Sequence, residues 1–284
     1  MVLVSRYDII KYSRYKGDAM SVLDLFDLHG KTAILTGAGQ GLGKSMAVAL
    51  AEAGADIVIA DKNREKGEEA AQDIINMGSR AVFIETDVTD EKSVETLCKT
   101  VVTEFRDIDI LVNNAGIVYS PQVPGGDTSI PFENVNTENW EFVLKVNLHG
   151  VFHCAQHIGK KMLEQKSGKI INIASMSGII ANWGRLNNAY CTSKGAVIMF
   201  TKELATEWGK YGIRVNAIAP GYIKTDGSKA LEDPNVVKRL EDVTPLRRPG
   251  TPSDLKGSIL FLASEASGFI TGQTIIVDGG YTLW

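Results

Sequence analysis

Apolar residues along the chain gather into short runs rich in β-branched side chains, each followed by a longer stretch with a different rhythm. The runs are TAILTG (32–37), DIVIAD (56–61), AVFIETD (81–87), IDILVNNAG (108–116), GKIINIAS (168–175), IRVNAIAPG (213–221) and QTIIVDGG (273–280). Between them lie stretches such as KSMAVALAEAG and SVETLCKTVVTEF, whose apolar residues recur at helical spacing. Runs that are apolar throughout belong to strands buried on both faces. Strand and helix in alternation therefore predict a doubly wound α/β fold, with a seven-stranded parallel sheet and helices on both faces. No proline- or serine-rich linker interrupts the series. Residues 28–284 are expected to form one domain, preceded by a leader or arm at 1–27.

Composition narrows the partners. The 284 residues, 44% of them hydrophobic, suffice for one sizeable core. A formal net charge of −4 with interspersed signs offers no basic patch, so neither nucleic acid nor a membrane is expected as a partner, and a small-molecule substrate is. Cys98, Cys154 and Cys191 show no CxxC or Cys/His metal spacing; they read as packing residues in a reducing compartment, with no metal site. The first thirty residues hold no apolar run of signal-peptide length, and nowhere does the chain hold about 18 apolar residues in a row. A cytoplasmic location is expected. Residues 1–19 fit either an ordered arm or a start upstream of the true one at Met20.

In open parallel sheets, ligands lie beyond the carboxyl ends of the strands, where strand order reverses. Directly after the first run comes TGAGQGLGKSMA, with glycines at 37, 39, 41 and 43. Glycines let the backbone approach a pyrophosphate, and the following helix presents its free N–H groups to that charge. The spacing G-x-G-x-x-G fails, because counting from Gly37 places Leu42 last, whereas T-G-x-x-x-G-x-G fits through Thr36, Gly37, Gly41 and Gly43. The second run ends at Asp61, whose carboxylate can accept hydrogen bonds from a ribose diol and repel a 2′-phosphate. That favours NAD over NADP, as does the neutral Gln40 inside the loop. Lys62 and Arg64 stand close enough in sequence to neutralise Asp61. After the third run, Asp87 and Val88 are offered to an adenine edge.

Tyr190 and Lys194 in AYCTSKGAV lie one helical turn apart, so their side chains can meet. A phenol with a reference pKa of about 10 is a poor base at neutral pH, and a neighbouring ammonium favours its ionised form. The same spacing also describes an ordinary aromatic and lysine pair on a helix surface.

Together with NNAG at 113–116, Asn147 in KVNLHG, a serine in INIASMSG, RVNAIAPG at 214–221 and a final VDGG at 277–280, these motifs make the chain resemble the short-chain dehydrogenase/reductase family from Leu28 to its end. The resemblance implies a Rossmann fold and a catalytic tetrad of Asn147, Ser175, Tyr190 and Lys194. Tyr190 would exchange a proton with the substrate oxygen, and Ser175 would hydrogen-bond that oxygen. Lys194 would lower the tyrosine pKa and bind the nicotinamide ribose, while Asn147 would hold a relay water. The family pattern S-x-x-G selects Ser175, with Gly178 following; the commonest spacing back from Tyr190 lands on Ser177. The resemblance also implies cofactor contacts from Asn114, Ala115 and Gly116 after the fourth strand. After the sixth, Pro220, Gly221, Ile223 and Thr225 would surround the nicotinamide carboxamide, with pro-S hydride transfer.

Substrate choice is expected from the loop after the fourth strand, the segment before Tyr190, and a flap from Gly221 to Gly250. Ser177, Trp183, Arg185 and Asn187 are the candidate substrate residues, and their polarity suits a hydroxylated or acidic compound. The expected function is an NAD-dependent dehydrogenase for a secondary alcohol of a polyol, sugar or sugar acid. An NADPH-dependent 3-oxoacyl-carrier-protein reductase is the alternative, against which Tyr211 stands where such reductases often carry a basic residue. A noncatalytic nucleotide-binding protein on the same fold is a third reading. The family further implies a homotetramer, with the apolar ending DGGYTLW packed between subunits.

Overall fold

The structure, a computed structural model, describes residues 21–119, 131–181, 187–225, 228 and 231–284. All seven expected runs form strands: β1 (Thr32–Thr36), β2 (Asp56–Asp61), β3 (Ala81–Glu85), β4 (Ile110–Asn113), β5 (Gly168–Ile173), β6 (Ile213–Pro220) and β7 (Thr274–Val277). They make one sheet in the order β3-β2-β1-β4-β5-β6-β7, every neighbouring pair parallel. The chain winds outward from β1 to β3, returns to the centre at β4 and winds outward again to β7. Strand order thus reverses between β1 and β4.

The helices are α1 (Gly41–Glu52), α2 (Arg64–Asn76), α3 (Glu91–Phe105), α4 (Thr137–Leu144), α5 (Gly150–Gln165), α6 (Asn188–Trp208), α7 (Pro234–Val243) and α8 (Lys256–Ala263). Several begin at side chains that accept from otherwise unpaired first-turn amides: Asn63 from Lys66 N at 3.0 Å, Asp90 from Lys92 N at 3.0 Å, and Asp233 from Asn235 N at 2.8 Å.

Alternation along β1 explains why its run is apolar throughout. Ala33 and Leu35 join Ile57 and Ile59 in one core, under Met46 and Leu50 of α1 and Ile259 of α8. Ile34 faces the other way, into a second core with Val58, Leu111, Leu97 of α3 and Ile158 of α5. Each such side chain contributes about 1.5–3 kcal/mol when fully buried, so both faces of the sheet carry the helices. Among the described residues β7 has no strand on its outer side, and Ile276 on it is exposed.

Of the expected leader, residues 1–20 lie outside the described residues. Residues 21–27 contain one short 3₁₀ turn, Asp24–Phe26, and among the described residues Leu28 is the first side chain fully withdrawn from solvent. No helix among the described residues is long and apolar enough to cross a membrane.

Candidate active site

A cavity of about 1000 Å³ runs along the carboxyl ends of the central strands, where strand order reverses. At one end is the glycine loop. Gly37 closes the turn after β1 with φ +61°, donating to the Ala60 carbonyl at 2.8 Å, and a Cβ there would sit 2.7 Å from the Ala115 Cα. A Cβ on Gly43 would lie 2.5 Å from the Gly37 oxygen and 2.6 Å from Asn114 Nδ2, so α1 can approach the sheet only without one. Gly41 differs: its φ is +59°, yet a Cβ would meet nothing nearer than Thr225 at 4.0 Å. There the missing side chain leaves open space in the cavity. With Gln40, Leu42 and Gly43 it puts the unpaired first-turn amides of α1 beside that space, a donor set suited to a pyrophosphate.

Asp61 closes β2 on the same cavity. One carboxylate oxygen accepts from Gly39 N and the other from Asn63 N, both at 2.9 Å, which fixes the side chain and leaves lone pairs for hydroxyl donors. Arg64 is drawn away, paired with Glu68 and Glu85. Lys62 does line the cavity and has no ion-pair partner among the described residues. Asp87 and Val88 line it after β3.

At the reversal point the polar groups of β1 and β4 hold each other. Thr36 Oγ1 accepts from the amides of Asn114 and Ala115, each at 3.1 Å, while Asn114 Nδ2 donates to the carbonyls of Thr36 and Gly37 at 3.0 and 2.8 Å. Asn114 is therefore a tie between two strand ends. Asn113 is a core residue, donating to Asn172 Oδ1 at 2.8 Å.

Tyr190 and Lys194 do share one face of α6, with Lys194 Nζ 5.7 Å from the phenol ring centroid. The phenol is hydrogen-bonded to Ser175, the serine that S-x-x-G selects. Ser177 serves the same turn differently: its amide donates to Ser175 Oγ at 3.1 Å, and its side chain is buried at the cavity wall.

For both partners of the pair, burial is the largest influence on the pKa. Burial pushes the Tyr190 phenol up, and the opposing effect comes from Ser175. Burial also pushes Lys194 down, to about 8. The lysine ammonium donates to the Ile173 carbonyl at 2.7 Å, which leaves two of its three N–H donors for other partners.

Asn147 sits behind the cavity wall, wholly buried, in a π turn at Lys145–His149 that interrupts the run from α4 to α5. Such turns insert an extra residue and re-aim side chains at functional sites. Its Oδ1 accepts from Ile117 N at 2.8 Å, and its Nδ2 donates to Ile117 O at 2.8 Å and to Ser193 Oγ at 3.0 Å. Ser193 in turn donates to the Tyr190 carbonyl at 2.7 Å. A Cβ on Gly116 would lie 3.3 Å from Asn147 Oδ1 and 3.4 Å from Lys194 Nζ, so this glycine keeps both groups close to the cavity.

Pro220, Gly221, Ile223 and Thr225 line the far end, after β6. Every residue expected to bind cofactor therefore faces one cavity, together with Ser175, Ser177 and Asn187. Trp183 and Arg185 lie outside the described residues, as does most of the loop after β4. Sequence reading passed over Ser193, Ile117 and Ile173, which hold the tetrad by ordinary side-chain and backbone groups. It also passed over Tyr222 and Ser228 on the cavity wall, the latter linked to Thr225 Oγ1 at 2.8 Å. Only Ser193, within Y-x-x-x-K, had a local signal. Cys98, Cys154 and Cys191 form no disulfide among the described residues, and burial pushes Cys154 up to about 12.

A family model described as "Enoyl-(Acyl carrier protein) reductase" matches residues 37–282. Galactitol 2-dehydrogenase of Rhizobium johnstonii is 39% identical over 267 residues, covering 93% of this chain and all of that one. A 3-oxoacyl-[acyl-carrier-protein] reductase of Synechocystis is also 39% identical, covering 90% of this chain and 99% of its own. The solved gluconate 5-dehydrogenase of Burkholderia cenocepacia, in complex with NADP and tartrate, superimposes with a TM-score of 0.85 at 38% identity, covering 93% of this chain and all of that one.

Proposed function

The chain belongs to the short-chain dehydrogenase/reductase family, oxidoreductases that use a nicotinamide cofactor, and we propose that it interconverts a secondary alcohol and a ketone of a polyol, sugar or sugar acid with NAD(H). The observation that carries the cofactor choice is the Asp61 carboxylate, held toward the cavity by Gly39 and Asn63, with Arg64 turned away. A fixed anion there accepts from ribose hydroxyls and disfavours a further phosphate. The hydroxylated substrate is supported by the polar wall residues Ser177 and Asn187 and by similarity to galactitol and gluconate dehydrogenases.

The nicotinamide, when bound, accepts or supplies the hydride. The first-turn amides of α1 would hold the pyrophosphate, with Asp61 on the adenosine ribose. Tyr190 exchanges its phenolic proton with the substrate oxygen, and Ser175 hydrogen-bonds the same oxygen as charge develops there. Lys194 holds its position between α6 and β5 and would bind the nicotinamide ribose. Asn147 orders the Ile117 backbone and the Ser193 hydroxyl behind it, where a relay water would connect the lysine to solvent.

One observation favours a second reading, an NADPH-dependent 3-oxoacyl-carrier-protein reductase: Lys62 lines the adenosine end of the cavity without an ion-pair partner among the described residues. Titration with NADH and NADPH, followed by a panel of galactitol, gluconate and acetoacetyl thioester, separates the two. NADH preference with turnover of a polyhydroxylated compound supports the first, and NADPH preference with thioester reduction replaces it with the second. Tyr190→Phe with wild-type turnover would remove the proton-transfer assignment, whereas dinucleotide binding with no turnover of any compound on the panel would favour a noncatalytic nucleotide-binding protein.

The same reading includes one domain over 28–284, a cytoplasmic location and a homotetramer. Assembly is supported by the exposed apolar side chains Phe269 and Leu283. A monomeric sedimentation coefficient would remove the tetramer.

A further inference from the structure

The end of the chain reaches the cavity wall through one aromatic contact. Tyr222, next after Gly221, lines the cavity, and its ring meets that of Tyr281 edge to face, centroids 5.2 Å apart and planes at 75°. Tyr281 does not line the cavity itself. Its own position is fixed by Asp278, whose two carboxylate oxygens accept from the amides of Gly280 and Thr282, each at 2.8 Å. Asp278 also abuts the cavity loop, since a Cβ on Gly221 would lie 2.7 Å from its Cα.

The same tail grips the far side of the flap. Leu246 N donates to the Gly279 carbonyl and Trp284 Nε1 to the Val243 carbonyl, both at 3.1 Å. The neck of the flap is closed by Gly250 N on the Tyr222 carbonyl and Lys224 N on the Gly250 carbonyl, both at 2.8 Å. Tyr222 is thus the residue at which neck, tail and cavity wall meet. It follows β6, four strand positions from β2, which at about 4.8 Å per strand puts it roughly 19 Å from Asp61.

We propose that Tyr281 is a positioning residue for substrate: by stacking on Tyr222 it sets the flap-side wall of the cavity, and so tunes substrate affinity without tuning dinucleotide affinity. The proposal rests on the reading of the Asp61 end as the adenosine site and the flap end as the substrate site. Edge-to-face pairs contribute enough to change an equilibrium about two- to tenfold.

The test compares wild type, Tyr281→Ala and Tyr281→Phe in three measurements: KM for gluconate with saturating NAD, NADH affinity by fluorescence titration, and hydrogen exchange in peptides covering 231–250. Tyr281→Ala is expected to raise KM about two- to tenfold, to leave NADH affinity within about twofold, and to speed exchange in the flap, with Tyr281→Phe matching wild type in all three measurements. Unchanged exchange in Tyr281→Ala, equal loss in Tyr281→Phe, or a matching loss of NADH affinity would overturn the proposal. Absence of gluconate turnover by the wild type would overturn the substrate reading alone. The exchange and NADH measurements would then decide the role of Tyr281 by the same outcomes.

Discussion

Lys194 crosses from α6 to the end of β5 and donates from Nζ to the Ile173 carbonyl at 2.7 Å, with 4% of the residue exposed. A side chain that the sequence places beside a tyrosine is thereby committed to the backbone of another element. Its ammonium is desolvated and has a carbonyl rather than a carboxylate for its partner.

That burial has a pH signature. The Lys194 pKa falls from its ordinary 10.5 to about 8 on folding. Between those values the unfolded chain binds a proton that the folded chain does not, so stability rises with pH across the interval. Below about 8 both states are charged and the desolvation cost is fully present. Denaturant unfolding at pH 8 and at pH 10.5 should show wild type gaining stability relative to Lys194→Met; parallel changes in the two proteins would contradict the assignment.

Asp61→Asn keeps an acceptor for the Gly39 amide but removes the charge. Hydrogen bonds to charged groups contribute about 1.5–3 kcal/mol, so the ratio of kcat/KM for NADH over NADPH is expected to fall about tenfold or more. An unchanged ratio would mean that Lys62 governs the adenosine end.

Two glycines of one loop should respond differently to a methyl group. Gly43→Ala drives a Cβ to 2.5 Å from the Gly37 oxygen, a backbone atom that cannot step aside, and should destabilise the fold by about 1–3 kcal/mol. At Gly41 the methyl group enters open cavity, and the cost to folding is the strain of φ +59°, about 1 kcal/mol. Gly41→Ala should therefore fold and lose cofactor affinity, as thermal melts beside dinucleotide titrations would show.

Asn147→Ala removes the partner of the Ile117 amide and carbonyl and of Ser193 in a fully buried place. Each buried group left unpaired costs about 1–3 kcal/mol. A drop of several degrees in thermal midpoint is expected, at about 2–4 °C per kcal/mol for a chain of this size. A drop is expected for Asn147→Asp as well, which keeps the acceptor for Ile117 N but sets a second oxygen against the Ile117 carbonyl in a buried place. Equal midpoints for all three proteins would deny the π turn its hydrogen-bonded role.

The stem of the flap should be acid-sensitive. Arg248 grips both oxygens of Asp254 at 2.8 and 2.7 Å, and these bonds with the Thr251 amide hold the Asp254 carboxyl well below its ordinary 3.8. A carboxyl lowered on folding stabilises above its ordinary pKa, and that stabilisation drains away as pH falls below it. Wild type should lose stability relative to Asp254→Asn on going from pH 5 to about pH 2, and no relative loss would show the pair to be inert.

Strands, glycine loop and tyrosine–lysine pair were all legible in the order of residues, because each depends on groups close together in the chain. Continuous β-branched runs have no solvated face and must be covered twice. Thr36, Gly37, Gly41 and Gly43 stand at one strand end and one helix start, where positive φ and close approach admit only glycine at Gly37. The spacing from Tyr190 to Lys194 is one turn whatever surrounds it.

Tertiary structure decided what depends on distance between elements. The S-x-x-G pattern prefers Ser175 to Ser177 in sequence, but the contact of Ser175 with the phenol exists only through the approach of α6. The direction of the Tyr190 and Lys194 shifts comes from how much protein covers them and from the Ile173 carbonyl of another strand, which no i,i+4 rule contains. Asn147 depends on a π turn formed against Ile117 and α6, and Tyr281 on a stack with a residue 59 positions earlier. A sequence carries local geometry in its spacing, whereas desolvation and long-range hydrogen bonds exist only once the chain has closed on itself.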